Sequence, residues 1–252
     1  MALSANSIIH YTSELEFLIN IIRSNGLRFS YCLETVKTRG SQSFSSAIAM
    51  VSFCDIPLAD YKKHFYNKKN TGDLGYYGDY GIGLSKTWAR NNGLNPVLYV
   101  DSRSHVSTSL RKDFERFMRN QGPTETSTPH QMFLYAKNYD GELYRKGVLK
   151  KKDYRYYDER EWRIVPDSKQ LGDHPVVLDA DLYNEGRTAF QQNIEANLLK
   201  FDLKDISYII VKNDDEKSLI YKQLRDSFRR DSDPIDLTSI TVLTSEQIIG
   251  DF

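Results

Sequence analysis

Cysteine is scarce in this sequence, long apolar runs are absent, and neither sign of charge predominates. The two cysteines, Cys32 and Cys54, lie far apart and lack metal-ligand spacing, which favours a protein with reduced thiols. No apolar run approaches the roughly 18 residues of a membrane span, and the first residues lack a signal peptide's basic and apolar regions, so we expect a cytoplasmic protein with no membrane partner. The formal net charge of zero argues against indiscriminate nucleic-acid binding by the whole surface.

Several catalytic signatures are also missing. There is no Gly-x-Ser-x-Gly nucleophile elbow and no Walker sequence, and Gly81-Ile82-Gly83 lacks the rest of a dinucleotide-binding fingerprint. Those glycines are still expected to allow a dinucleotide to approach the backbone closely. Asp60 and His64 have the spacing of a metal pair on a helix, but no third ligand accompanies them, so no metal site is predicted.

Short apolar strands alternate with helices along the chain. Strands are predicted at residues 47–54, 81–85, 97–101, 162–165, 176–178, 208–212 and 240–243. Helices are predicted at residues 58–68, 86–92, 107–120, 188–199 and 214–229, with loops at 70–78 and 121–129. The strands follow one another too closely for regular right-handed crossover units, which favours an α+β fold in a single domain spanning residues 1–252.

The N-terminal region combines a strand, a polar tripeptide and an amphipathic helix. His10-Tyr11-Thr12 ends the strand, and Ser13 with Glu16 has the spacing of a capping box at the start of the helix. Gly26 is predicted to be the left-handed residue that ends this helix. A histidine in this position is either a polar residue satisfied at a strand end or part of a site.

A pair of carboxylates lies in the segment Tyr157–Pro166. If the backbone there is extended, Glu159 and Glu161 project from the same face and repel each other unless a cation or a reaction uses them. The alternative is a solvated surface ladder in which Arg160 and Arg163 neutralise the two acids.

Basic and aromatic residues alternate on the approach to this pair. Such a mixture either binds phosphates and stacks bases or forms a solvated, mobile loop. Its members are Tyr144, Arg145, Lys146, Lys150, Lys151, Lys152, Tyr154, Arg155, Tyr156, Tyr157, Arg160, Trp162 and Arg163.

Five groups of residues, in this order, resemble the AbiGi family of bacterial abortive-infection proteins. They are Leu3–Ser7 with His10–Thr12, Met50–Leu58, Tyr77–Lys86, Asn95–Tyr99 and Glu159–Arg163. The combination of His-Tyr-Thr, a Tyr-Gly-Ile-Gly strand and a late glutamate-containing strand also resembles, more distantly, ADP-ribosyltransferase toxins of the DarT type.

The second resemblance implies a fold and a reaction. The ADP-ribosyltransferase-like fold has two small, mainly antiparallel sheets around a cleft that binds NAD as a substrate, with flanking helices. Glu161 is then expected to stabilise the oxocarbenium-like transition state, and Glu159 to orient or deprotonate the acceptor. The order of the two carboxylates could be reversed.

The same resemblance implies a set of NAD-binding residues. His10 is expected to bind the ribose hydroxyls with support from Tyr11 or Thr12, and Tyr80 to stack on the nicotinamide. Two cationic residues are expected at the pyrophosphate, with ordinary surface charge as the alternative: Arg28 and Lys86.

Two classes of function follow from the resemblances. The first is an NAD-dependent ADP-ribosyltransferase toxin of an anti-phage system, with RNA or DNA as acceptor and a cognate antitoxin that restrains it. The alternatives are a transferase with a protein acceptor, or a non-catalytic antitoxin that acts as the binding component of the pair.

Overall fold

A computed structural model describes residues 5–60, 78–121, 131–145, 148–229 and 236–251. Most of the predicted helix at 58–68, nearly all of the loop at 70–78 and nearly all of the loop at 121–129 lie outside these ranges. Across the described ranges, no helix is both long and apolar enough to cross a bilayer.

Strands and helices alternate along the chain. The strands are β1 (Ser7–Thr12), β2 (Gly26–Arg28), β3 (Ser30–Thr38), β4 (Gln42–Cys54), β5 (Tyr80–Ser85), β6 (Asn95–Pro96), β7 (Leu98–Val100), β8 (Ala136–Asn138), β9 (Gly141–Arg145), β10 (Val148–Tyr154), β11 (Glu161–Ile164), β12 (Val177–Asp179), β13 (Leu198–Lys200), β14 (Ile206–Val211) and β15 (Thr241–Thr244). The helices are α1 (Leu15–Ser24), α2 (Lys86–Asn91), α3 (His105–Gln121), α4 (Gln131–Leu134), α5 (Ala180–Ile194), α6 (Lys217–Phe228) and α7 (Ser245–Asp251).

The chain divides into two compact units, each assembled from separate segments. The first unit contains Met1–Leu27, Phe53–Gly93 and Lys200–Phe252, and the second contains Arg28–Ser52 and Leu94–Leu199. Both units combine helices with mainly antiparallel strands, so the α+β class is confirmed. The assignment of one domain to residues 1–252 stays a prediction.

The first unit is built on a sheet with the order β15–β14–β5–β1, followed by the end of β4. Strands β14 and β15 are parallel, and the other pairs are antiparallel. Ile8, Ile82 and Ile209 are fully buried, which places the core of this unit on the sheet. The register sets Thr12 opposite Tyr80 and His10 opposite Ile82.

Gly83 accommodates an aromatic ring from the neighbouring strand. Tyr208 of β14 pairs with Gly83 of β5, and a Cβ atom added at position 83 would lie 2.8 Å from Tyr208 Cζ. Glycine is favoured here because the Tyr208 ring occupies the space that a side chain at position 83 would need. The packing explains this glycine without a dinucleotide.

Replacement of Gly83 by alanine is expected to lower the free energy of unfolding by about 1–3 kcal/mol, because the new methyl group overlaps the Tyr208 ring. Gly250→Ala is the matched control, since no neighbouring atom lies within 4 Å of a Cβ added there. Urea unfolding of the three proteins measures the difference. Equal stability of Gly83→Ala and the parent protein would contradict this account of the close packing.

Helix α1 begins and ends differently from the sequence prediction. Its N-cap is Glu14, with no side-chain hydrogen bond, so the capping box of Ser13 and Glu16 is wrong. The left-handed residue is Asn25, with φ of 49°, rather than Gly26, which opens β2. Asparagine tolerates this conformation better than most residues. The backbone N–H of Asn25 caps the helix by donating to the carbonyls of Ile21 and Ile22 in the last turn.

The second unit is organised around β4, the longest strand. β3 and β12 both pair with β4, where Ile48 has Cys32 as its partner in β3 and Val177 as its partner in β12. β11 lies between β4 and β6. Phe44 of β4 stacks on Phe114 of α3, and the ring centroids are 4.6 Å apart.

Two element predictions in the second unit need correction. α5 begins at Ala180, well before the predicted start at 188, because the Asp179 side chain caps it by accepting from the amides of Asp181 and Leu182. Residues 148–154, part of the segment for which a mobile loop was one interpretation, form β10 in a hairpin with β9.

Candidate functional site

The described part of the second unit contains a buried cluster of charged side chains centred on Lys137 of β8. Lys137 Nζ donates to Glu159 Oε2 at 2.8 Å and to Glu161 Oε2 at 2.7 Å. Both glutamates are buried. One ammonium group therefore neutralises the repulsion between the two carboxylates that the sequence brings close together.

The backbone brings the two glutamates together by a route that the sequence did not predict. Glu159 ends a short 3-10 helix, Tyr156–Glu159, and Arg160 follows in the left-handed conformation with φ of 44°. Glu161 then opens β11. The expected extended segment is wrong because the chain turns at Arg160, although both carboxylates still reach the same lysine.

Arg163 contacts the second carboxylate oxygen of Glu161, Oε1. Its side chain is fully buried, and its Nε and Nη2 atoms each lie 2.8 Å from Glu161 Oε1. Arg163 Nη2 also lies 3.3 Å from Glu34 Oε1 of β3. The alternative of a solvated surface ladder is therefore wrong.

Neutral groups complete the environment of Glu161. Ser52 Oγ of β4 donates to Glu161 Oε1 at 2.9 Å, and the Glu161 amide donates to Tyr99 Oη of β7 at 2.9 Å. Both carboxylate oxygens of Glu161 thus accept hydrogen bonds from this chain's own side chains.

Glu161 and Lys137 are both charged at neutral pH. Burial acts to raise the pKa of Glu161, but the charges of Arg163 and Lys137, with hydrogen bonds from Lys137 and Ser52, lower that pKa to about 2. Burial acts to lower the pKa of Lys137, and the charges of Glu159 and Glu161 outweigh it and hold the pKa well above its usual value. Burial and the nearby Glu34 charge raise the pKa of Cys32 to about 11, so its thiol stays protonated.

Aromatic rings extend from the cluster to the surface. Tyr99 meets Tyr157 edge to face at 5.2 Å, and Tyr157 stacks on Tyr139 at 5.3 Å. Tyr157 is 48% exposed and Tyr139 is 36% exposed. A cleft of about 560 Å³ in this unit is lined by Ser102, Arg103, Asp140, Gly141, Lys151, Asp153, Tyr154, Arg155 and Asp158.

Three of the predicted NAD-binding residues share one face of the first unit's sheet. Thr12 lies opposite Tyr80, and His10 lies two residues before Thr12 on β1. The His10 ring meets Phe53 edge to face at 5.7 Å. Tyr80 is only 8% exposed, and its hydroxyl donates to Glu216 Oε1 at 3.0 Å.

The other three predicted NAD-binding residues lie elsewhere. Tyr11 packs against a core cluster that includes Cys54 and Ile210 in the first unit. In the same unit Lys86 Nζ donates to Asp55 Oδ2 at 2.7 Å, and both side chains are largely buried. Arg28 is exposed at the end of β2, in the second unit. Because Lys86 is largely buried and paired with Asp55, the alternative that it is an ordinary surface charge is wrong.

Sequence reasoning missed the residues that hold the glutamate pair in place. Lys137, Glu34, Ser52 and Tyr99 come from four different strands, β8, β3, β4 and β7. Lys137 carried a weak signal, since it directly follows the apolar Phe133–Ala136. Nothing in a single sequence pairs these positions with Glu161, more than 20 residues away.

Comparisons with known proteins agree with the family resemblance. Residues 25–212 match the family model described as "Putative abortive phage resistance protein AbiGi, antitoxin". A protein of Lactococcus lactis subsp. cremoris named "Abortive phage resistance protein AbiGi" is 31% identical over 183 residues, which cover 65% of this chain and 71% of that protein. No solved structure gives a significant match. The chain therefore belongs to the AbiGi family.

Proposed function

We propose that this chain is the antitoxin of an abortive phage-resistance pair, and that it acts by binding a toxin rather than by catalysis. The descriptions of the family and of the lactococcal relative support a role in abortive phage resistance, and the family description also names an antitoxin. The observation that carries the non-catalytic role is the engagement of both Glu161 carboxylate oxygens by Ser52, Lys137 and Arg163.

A catalytic carboxylate has to turn at least one oxygen toward its substrate. If Glu161 did so, either Lys137 would lose one of its two carboxylate partners or the fully buried Arg163 would lose its closest one. Breaking a buried ion pair costs about 3–5 kcal/mol. The cluster is therefore better suited to holding β8, β11 and the 3-10 helix together than to reacting.

Growth rescue tests this proposal. Each reading frame next to the gene for this chain is expressed alone and together with the chain, and colony formation is counted. We expect one neighbouring product to arrest growth, and this chain to relieve the arrest and to copurify with that product. Arrest of growth by this chain alone would overturn the proposal.

An NAD-dependent ADP-ribosyltransferase toxin is the second candidate. Its support is that Glu161, with a pKa of about 2, stays ionised beside Glu159 at neutral pH, as a carboxylate that stabilises an oxocarbenium ion must. However, the polar groups of Tyr80, Lys86 and Glu161 already form hydrogen bonds with other residues of this chain. NAD is expected to bind only if it replaces those partners, and the acceptor is RNA, DNA or protein.

Labelled NAD tests the second candidate. The purified protein is incubated with labelled NAD and with total RNA, DNA or cell lysate. Label on any fraction with the parent protein and with Glu142→Gln, but not with Glu161→Gln, would establish the transferase. The comparison requires a temperature at which all three proteins are folded, and an absence of label with folded protein would remove this candidate.

A further inference from the structure

We infer that the β9–β10 hairpin of the second unit is the surface on which the toxin docks, and that the toxin presents carboxylate side chains to it. This inference rests on the proposed antitoxin function. It adds the contact surface and the chemistry of the partner.

Exposed apolar side chains concentrate at this hairpin and at the tyrosine stack beside it. Tyr144 of β9 lies opposite Leu149 of β10, and the two are 52% and 37% exposed. The neighbouring Val148 is 57% exposed, and Tyr139 and Tyr157 are also exposed. Isolated apolar residues on a surface are ordinary, but a cross-strand pair with adjacent apolar neighbours is typical of an interaction site.

Side chains, rather than further strands, join the hairpin to the rest of its unit: Leu143 is buried, and Tyr156 Oη donates to the Glu142 carbonyl. In the part of the chain that the structure describes, β9 and β10 pair only with each other. The outer edges of a two-stranded hairpin present backbone groups that another chain can pair with. A docked partner would cover the apolar pair and stabilise the two strands.

Charge on the hairpin indicates the chemistry of the partner. β10 carries three consecutive lysines, Lys150 to Lys152, against one acid, Asp153. Lys151 and Lys152 are exposed. Cations next to an apolar pair match a partner surface on which carboxylates flank an apolar patch, because complementary charge speeds association and fixes the orientation of the two proteins.

A protein fits this surface better than a nucleic acid does. The adjacent cleft is lined by three aspartates and three cations, so its charges balance and it is not the positively charged groove that follows a nucleic-acid backbone. Of the exposed apolar side chains on the described residues of the hairpin, Val148 and Leu149 are aliphatic, and Tyr144 alone offers a ring on which a base could stack. Tyrosine with aliphatic neighbours is instead the composition of the buried centre of a protein interface.

Two groups of variants test the inference against the growth-arresting product identified by the rescue experiment. Tyr144→Ala/Leu149→Ala removes the apolar pair, and we expect at least about 30-fold weaker binding and loss of rescue. Lys151→Glu/Lys152→Glu reverses the charge, and we expect about 10-fold weaker binding with a smaller dependence on salt. Phe17→Ala and Val106→Ala, at positions outside the hairpin that are at least as exposed as Tyr144 and Leu149, are the controls and should bind within about 3-fold of the parent protein.

The outcomes separate this inference from the proposed function. If the parent chain does not relieve the growth arrest caused by any neighbouring product, the antitoxin proposal fails and the inference fails with it. If the parent chain and Tyr144→Ala/Leu149→Ala rescue growth equally, the inference alone is overturned. Binding of a single-stranded RNA 12-mer that is lost in the hairpin variants, with rescue retained, would assign the surface to nucleic acid. A parent dimer that Leu149→Ala makes monomeric, with rescue retained, would assign it to self-association.

Discussion

Replacing Arg163 by alanine is expected to lower the free energy of unfolding by about 3–5 kcal/mol. The side chain is fully buried, and its guanidinium lies 2.8 Å from Glu161 and 3.3 Å from Glu34. Removing it leaves Glu161 with Lys137 as its remaining cation and also empties the volume of a large side chain. Chemical denaturation with urea at pH 7 measures the loss.

Arg155→Ala is the matched control for this prediction. Arg155 lies 3.7 Å from Asp158, and the two side chains are 60% and 44% exposed, so solvent screens the pair and it contributes less than about 1 kcal/mol. A double-mutant cycle with Glu161→Ala then isolates the coupling between Arg163 and Glu161. Losses that simply add in the double variant would contradict a direct ion pair.

A single sequence identifies the two carboxylates of the buried cluster but not the lysine that neutralises them. Glu159 and Glu161 could be singled out because like charges two residues apart need neutralisation, and the structure brings both to Lys137. The neutralising residue itself was not predictable, since Lys137 lies on another strand. Proximity in sequence suggested Arg160 and Arg163 as the neutralising residues, and Arg163 does contact Glu161.

The sequence likewise predicts some strands and misses others. β5, β14 and β15 were predicted because each is a short apolar run that is buried in a sheet. β3 and β10 were missed because polar side chains predominate in both. Each forms as one arm of a hairpin, and the partner strand decides whether such a polar segment is extended.

The buried cluster also determines how activity data on this protein are to be interpreted. Glu161→Gln removes an ionised group that Lys137, Arg163 and Ser52 all contact, so it is expected to destabilise the fold as well as to remove a candidate catalytic group. A loss of NAD turnover in that variant identifies a catalytic residue only if the folded fraction is unchanged. Tyr144 and Leu149 are exposed, so their variants separate function from folding more cleanly.

Acid is expected to destabilise the parent protein more than Glu161→Gln, by up to about 3 kcal/mol. The pKa of Glu161 is about 2 in the folded protein against an ordinary value of 4.5, so the unfolded chain binds a proton at a higher pH than the folded one. The stability that Glu161 contributes is therefore fully present above about pH 4.5. It is lost as the pH falls from there toward 2.

The comparison with Glu161→Gln removes the effects of other acids, because both proteins contain them. The charged groups around Glu161 come from several elements: Lys137 of β8, Arg163 of β11, Glu34 of β3 and Glu159 of the 3-10 helix. Urea unfolding at pH 7, 5, 4 and 3 gives the two stability curves. We expect the gap between them to be widest at pH 7 and to narrow below pH 4.5. A constant gap across this range would mean that the Arg163 and Lys137 charges do not depress the Glu161 pKa, and the account of the cluster as an ionised network would be wrong.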